Sequence, residues 1–124
     1  MAALKWLAFF IILLSGIGYG TWIYMNPPRW MLEIGLPPYA KALPSTEPAI
    51  EFAHRVSELF PVPREEENLM TRLKKDGFQI NTDTKTATIH RSTSTCNYFW
   101  TVSWLVLPKL GVTKIDGHYR SVCP

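Results

Sequence analysis

At 124 residues, with 13 Lys and Arg against 10 Asp and Glu and a formal net charge of +3, the chain has room for one domain and no basic stripe of the kind nucleic-acid binding needs. Its longest basic run is the pair Lys74-Lys75, so a nucleic-acid partner is not expected. Setting aside an apolar N-terminal segment leaves about 80 residues for a core, few enough that a covalent staple is expected to supplement it.

From Trp6 to Met25 the stretch WLAFFIILLSGIGYGTWIYM carries no charge over 20 residues. As a helix rising about 1.5 Å per residue it would cross about 30 Å of hydrocarbon. Trp6 at one end and Trp22 and Tyr24 at the other lie where aromatic rings favour the headgroup boundary. A cleaved secretory signal begins in the same way, with Lys5 as its basic start, Ala8 to Leu14 as its apolar centre, and Gly18 and Gly20 as small residues before the cut. Because the apolar run continues through Trp22, Ile23 and Met25, an uncleaved anchor over residues 1–25 is expected, with signal cleavage as the alternative. Lys5 and the terminal amine on one side are balanced by Arg29 and Lys41 on the other, so flanking charge does not orient the segment. Two cysteines at pairing positions favour an oxidising compartment. The expectation is a single-pass inner-membrane protein with its C-terminal domain in the periplasm.

Residues 26–44 read as a Pro-rich linker. Pro27, Pro28, Pro37, Pro38, Pro44 and the following Pro48 are six of the ten prolines, each fixing φ and removing a donor, which predicts an extended spacer. Trp30 to Leu36 within it is apolar enough either to rest on a membrane surface or to pack against the domain.

Residues 45–124 form the predicted domain. A helix begins at Ser45 or Thr46, whose hydroxyl would cap it. It buries a stripe of Ala49, Phe52, Ala53, Val56, Leu59 and Phe60 at helical spacing and ends at Pro61 and Pro63. A second helix spans Arg64 to Asp76, with Leu69, Met70 and Leu73 inward. Glu65, Glu66 and Glu67 open it and Lys74 and Lys75 close it, complementing the helix dipole, and Gly77 provides a left-handed cap.

Four strands follow. Phe78 and Ile80 alternate with polar residues, Asn81 to Lys85 turn, Ala87 and Ile89 alternate again, and Ser92 to Thr95 turn. The longest strand, Cys96 to Leu107, places Tyr98, Trp100, Val102 and Trp104 on one face, and Val112 to Cys123 returns after Pro108–Gly111. A four-residue hairpin loop pairs Leu107 with Val112, Trp104 with Ile115, Val102 with Gly117 and Trp100 with Tyr119. The same register sets Cys96 opposite Cys123, within disulfide reach. Continuing the meander backwards puts Tyr98 near Ile89, Trp100 near Ala87 and Ile80 near Ala87. The fold class is α+β: an N-terminal transmembrane helix, then two helices packed on a four-stranded antiparallel meander.

That element order, together with Leu69, Leu73 and Gly77-Phe78 at the second helix end and Trp100 and Trp104 in the third strand, resembles the β-lactamase inhibitor protein domain and the SmpA/OmlA-type lipoproteins of outer-membrane assembly. The resemblance implies a protein-binding scaffold without catalysis. It departs in lacking a cysteine after the apolar run and in having Pro63-Arg64-Glu65 where that family enters its helix. No functional residue can be transferred.

His54, His90 and His118 are the only histidines. Asp116 shares a strand face with His118 and could orient its imidazole, but a surface ion pair is the commoner outcome of such a pair. Zinc-ligand spacing, a phosphate-binding glycine loop and a nucleophile elbow do not occur in the sequence. No catalytic, cofactor-binding or metal residue is expected. The candidate interaction surface is Phe99, Leu105 and Leu107, which face away from the core on the long strand. The expected activity is that of an envelope interaction module that binds the membrane and another envelope protein. The alternative is a secreted inhibitor or ligand-binding protein released by signal cleavage.

Overall fold

The computed structural model describes residues 2–25 and 29–124. Pro27 and Pro28, and the side chains of Tyr24 and Arg29, lie outside the described residues. The architecture is α+β, with an N-terminal apolar helix, further helices, and one antiparallel sheet in the order β1-β2-β3-β4. Helix α1 (Ala2–Met25) has an uncharged run long and apolar enough to cross a membrane. A single turn, α2 (Arg29–Leu32), comes next.

The stretch that follows is not the extended spacer its prolines predict. Leu36, Tyr39, Ala40 and Leu43 are buried with the core around a 3-10 turn at Pro38–Ala40. The domain therefore begins well before residue 45. Tyr39 stacks on Phe52 and Phe78, with ring centroids 6.5 and 6.3 Å away, and meets Phe60 edge-on at 5.7 Å. These apolar side chains outweigh the prolines, which tolerate an irregular buried path because they carry no N–H to be satisfied.

Helix α3 (Pro48–Leu59) buries Phe52 and Val56, and Phe60 follows into the core. Its cap is not the predicted Ser45 or Thr46 hydroxyl. Glu47 stands there in the left-handed region, without a side-chain cap, and Pro48 at the first helical position removes one of the donors a cap would serve. Helix α4 (Glu66–Lys75) buries Leu69 and Leu73. It starts two residues later than predicted because Arg64 is extended, exchanging backbone hydrogen bonds of 3.2 and 2.8 Å with Val112. At its other end the predicted glycine cap is present. Gly77 has φ +99°, its N–H reaches the Lys74 carbonyl and that of Phe78 the Leu73 carbonyl, the paired bonds of a Schellman motif.

Strands β1 (Gln79–Asn81), β2 (Thr86–Ser92), β3 (Asn97–Leu107) and β4 (Gly111–Val122) form the meander. Between β3 and β4 the pairs Trp104 with Ile115, Val102 with Gly117 and Trp100 with Tyr119 occur as predicted. Nearer the turn the register slips by one, so Val106 faces Val112 and Leu107 faces Gly111. The cause is a tighter turn. Pro108 in its second position and Lys109 at φ +71° in its third let the Leu110 N–H reach the Leu107 carbonyl, and a bulge absorbs the extra residue.

Between β2 and β3 the register differs by two residues from the expectation: Ile89 faces Trp100 and Ala87 faces Val102. The hydroxyl of Thr93 accepts hydrogen bonds from the N–H groups of Cys96 (2.9 Å) and Thr95 (3.3 Å), which moves the turn one residue on and takes Cys96 out of the strand. A shift of two preserves which face each side chain occupies, so the inward set is unchanged.

Helix α3 crosses β4 at Gly117. A Cβ there would lie 2.7 Å from Val56 Cγ2 and 3.3 Å from the Phe52 carbonyl oxygen. The room Gly117 leaves is thus taken up by the helix. The helices sit on one face of the sheet, and the core is the layer between.

Candidate functional site

Alternation along the strands divides the sheet sharply. Inward residues in the middle of β3 and β4 (Trp100, Val102, Trp104, Ile115 and Gly117) are buried, whereas Phe99, Thr101, Ser103, Leu105 and Leu107 on β3 and Lys114, Asp116, His118 and Arg120 on β4 form an outer face that no helix among the described residues covers. Toward one end of this face lies an aromatic patch. The His90 ring stacks on Phe99 at 4.7 Å, and the Arg120 guanidinium lies over the same ring at 4.8 Å. Phe99 is therefore half-buried under its polar neighbours and is not the open apolar residue its strand position predicts. In the middle, Thr88 and Thr101 hydroxyls are 3.2 Å apart and Ser103 Oγ lies 3.3 Å from His118 Nε2.

Leu105 and Leu107, by contrast, stay 52% and 42% exposed. They lie at the β3–β4 hairpin end, joined by Leu110 in the turn at 61%. The sequence analysis took Pro108–Gly111 only as a connection and did not consider Leu110, whose place in an exposed turn presents its side chain to solvent.

His118 and Asp116, considered above as an imidazole with its orienting carboxylate, do not meet. His118 takes Ser103 as partner, and Asp116 lies 3.7 Å from Lys114 Nζ. His54 pairs with Glu58 on α3 at 3.1 Å. Among the described residues no group of three or more His, Cys, Asp or Glu is placed to hold a metal ion. Cys96 and Cys123 are bonded to each other, with Cα atoms 4.3 Å apart.

Two buried-edge polar clusters flank the core. Glu66 was assigned to the helix dipole with its neighbours, but its carboxylate also accepts from Lys85 Nζ at 2.9 Å and from the Trp104 indole at 2.9 Å. The Lys85 ammonium first, then the Trp104 N–H, hold its pKa below the usual carboxylate range. The Tyr39 hydroxyl donates to Asp76 at 2.7 Å, and Arg72 Nε donates to the same oxygen at 3.1 Å. Burial, then the Asp76 carboxylate, push the phenol pKa far up.

On the inner side, at the end of the sheet opposite the hairpin turn, lies a cleft of about 290 Å³ lined by Leu32, Glu33, Ala40, Leu43, Tyr98, Trp100 and Tyr119. The Trp100 indole N–H is buried there without a hydrogen-bond partner among the described residues, an exception to the rule that buried donors are paired.

Comparison of the chain with protein-family models, with curated proteins and with solved structures finds no match in any of the three.

Proposed function

We propose that this chain is a non-catalytic interaction module of the bacterial cell envelope, anchored in the inner membrane by α1 and presenting its sheet domain to the periplasm, where it binds another envelope protein. The observation that carries the reading is the apolar cluster of Leu105, Leu107 and Leu110 at the hairpin end of a sheet covered on one side only. Apolar side chains grouped at the exposed end of an otherwise hydroxyl-rich and charged face fit a partner's hydrophobic pocket better than they fit water. The disulfide supports an oxidising compartment, and α1 has the length and composition of an anchor.

A photo-crosslinking residue at position 107 in the full chain, activated in intact cells, is expected to trap one defined partner. The charge of Leu105→Asp should abolish the adduct at unchanged protein level. Diffuse labelling, or an adduct indifferent to that charge, removes the basis for this surface.

A second reading, binding of a small ligand, is favoured by the cleft around Trp100, whose unpartnered N–H offers a donor in an apolar setting. The ligand class would be an apolar molecule with one acceptor oxygen. Native mass spectrometry of protein taken from its own membrane should then show an added mass that Trp100→Phe loses.

A further inference from the structure

Trp30, Met31 and Ile34 are exposed, at 65%, 40% and 62%, in a segment whose later apolar members, Leu36, Tyr39 and Leu43, are buried in the core. The segment is therefore split: one part is fixed in the domain, and the other turns large apolar side chains outward. What lies close to them follows from covalent reach. Trp30 is five residues beyond Met25, the end of α1, and five residues extend at most about 18 Å. If α1 spans a bilayer, Trp30 cannot be further than that from where the span ends, within the interfacial zone that tryptophan favours.

A second set of contacts places this segment at one end of the sheet. The Arg91 guanidinium, at the end of β2, donates to the Ile34 carbonyl at 3.4 Å and to its neighbour His90's carbonyl at 3.1 Å. Arg91 pairs with Tyr98 at the start of β3, beside the Cys96–Cys123 bond, and Leu32 and Glu33 share the cleft with Tyr98 and Tyr119. The outward apolar residues thus sit at the disulfide end of the sheet. The Leu110 turn is at the other end of β3, and the eleven residues of that strand separate the two ends by about 35 Å.

We infer that Trp30, Met31 and Ile34 form a second membrane contact, seated in the headgroup region of the bilayer, that holds the disulfide end of the sheet against the lipid and points the Leu105–Leu107–Leu110 end away from it. This rests on the anchor reading of α1. Three apolar side chains beside a span gain by leaving water for the interface. The Arg91 bond ties their segment to β2, so a contact between these side chains and the lipid sets the stance of the whole sheet.

Single spin labels at Leu13→Cys, Ile34→Cys and Leu110→Cys, with the native disulfide intact and the full chain in phosphatidylethanolamine–phosphatidylglycerol nanodiscs, test this directly. Collision with a water-soluble nickel relaxer should be several-fold lower at position 34 than at position 110, and collision with oxygen correspondingly higher. Ile34 and Leu110 are almost equally exposed in the protein itself, so a difference reports the bilayer. Equal nickel access at 34 and 110 overturns the membrane contact, and protection of both overturns the stance. Nickel access at 13 overturns the anchor instead, which keeps the two failures apart. A label at Met31→Cys repeats the measurement without touching the residue that Arg91 holds.

Discussion

Tyr39 stands in a stretch that its prolines mark as a spacer, yet its ring is packed among three phenylalanines and its hydroxyl ends on Asp76. The signal was present: Leu36, Tyr39, Ala40 and Leu43 fall at i, i+3, i+4 and i+7, the spacing of a buried stripe. The reading of Glu66 was incomplete for a different reason. Position in a first helical turn explains a carboxylate well enough that nothing in the sequence asks for further partners, and Lys85 and Trp104 arrive from 19 and 38 residues away. Its lowered pKa has a consequence for acid stability. Above the unfolded carboxyl value of about 4.3 the paired carboxylate stabilises the fold, and that contribution is lost as pH falls through the lower, folded value. The urea midpoint of Glu66→Gln should therefore change less than the parent's between about pH 6 and about pH 3. At the upper pH the substitution should cost no more than about 1 kcal/mol, because the pair is partly solvated. Parallel pH profiles of the two proteins would show that the pair contributes nothing.

Among the elements, the β3–β4 ribbon was the most legible, because a short turn and a period of two leave little freedom in the register. The β2–β3 pairing was less so. Four consecutive hydroxyl residues, Ser92 to Thr95, allow the turn to close at more than one place, and the choice fell to the Thr93 side chain. The start of the domain was the largest departure, and it gives an element-scale prediction. A fragment of residues 33–124 should unfold cooperatively. One of residues 45–124 lacks Leu36, Tyr39 and Leu43, and the loss of buried apolar side chains at about 2–5 kcal/mol each approaches the whole stability of a small domain. Circular dichroism during heating distinguishes them; equal midpoints would return residues 36–43 to the role of a linker. Of the candidate surface, Leu105 and Leu107 followed from strand alternation alone. Phe99 did not, since its cover comes from His90 on one neighbouring strand and Arg120 on the other.

For the whole molecule, the two cysteines matter more than their number suggests. They lie 27 residues apart in sequence, a loop whose closure contributes about 2–4 kcal/mol by restricting the unfolded chain. Replacing both by Ser should lower the denaturant midpoint accordingly while leaving the cooperativity of unfolding unchanged; an unaltered midpoint would mean the bond is ornamental to stability. The bond also closes a covalent ring through β3, the hairpin turn and β4. A load that draws the far ends of β3 and β4 apart meets the S–S bond before it reaches the hydrogen bonds, so the ladder between the strands is not peeled open rung by rung. Pulled this way, the ribbon stays closed at both ends, and only after reduction does it become a zipper.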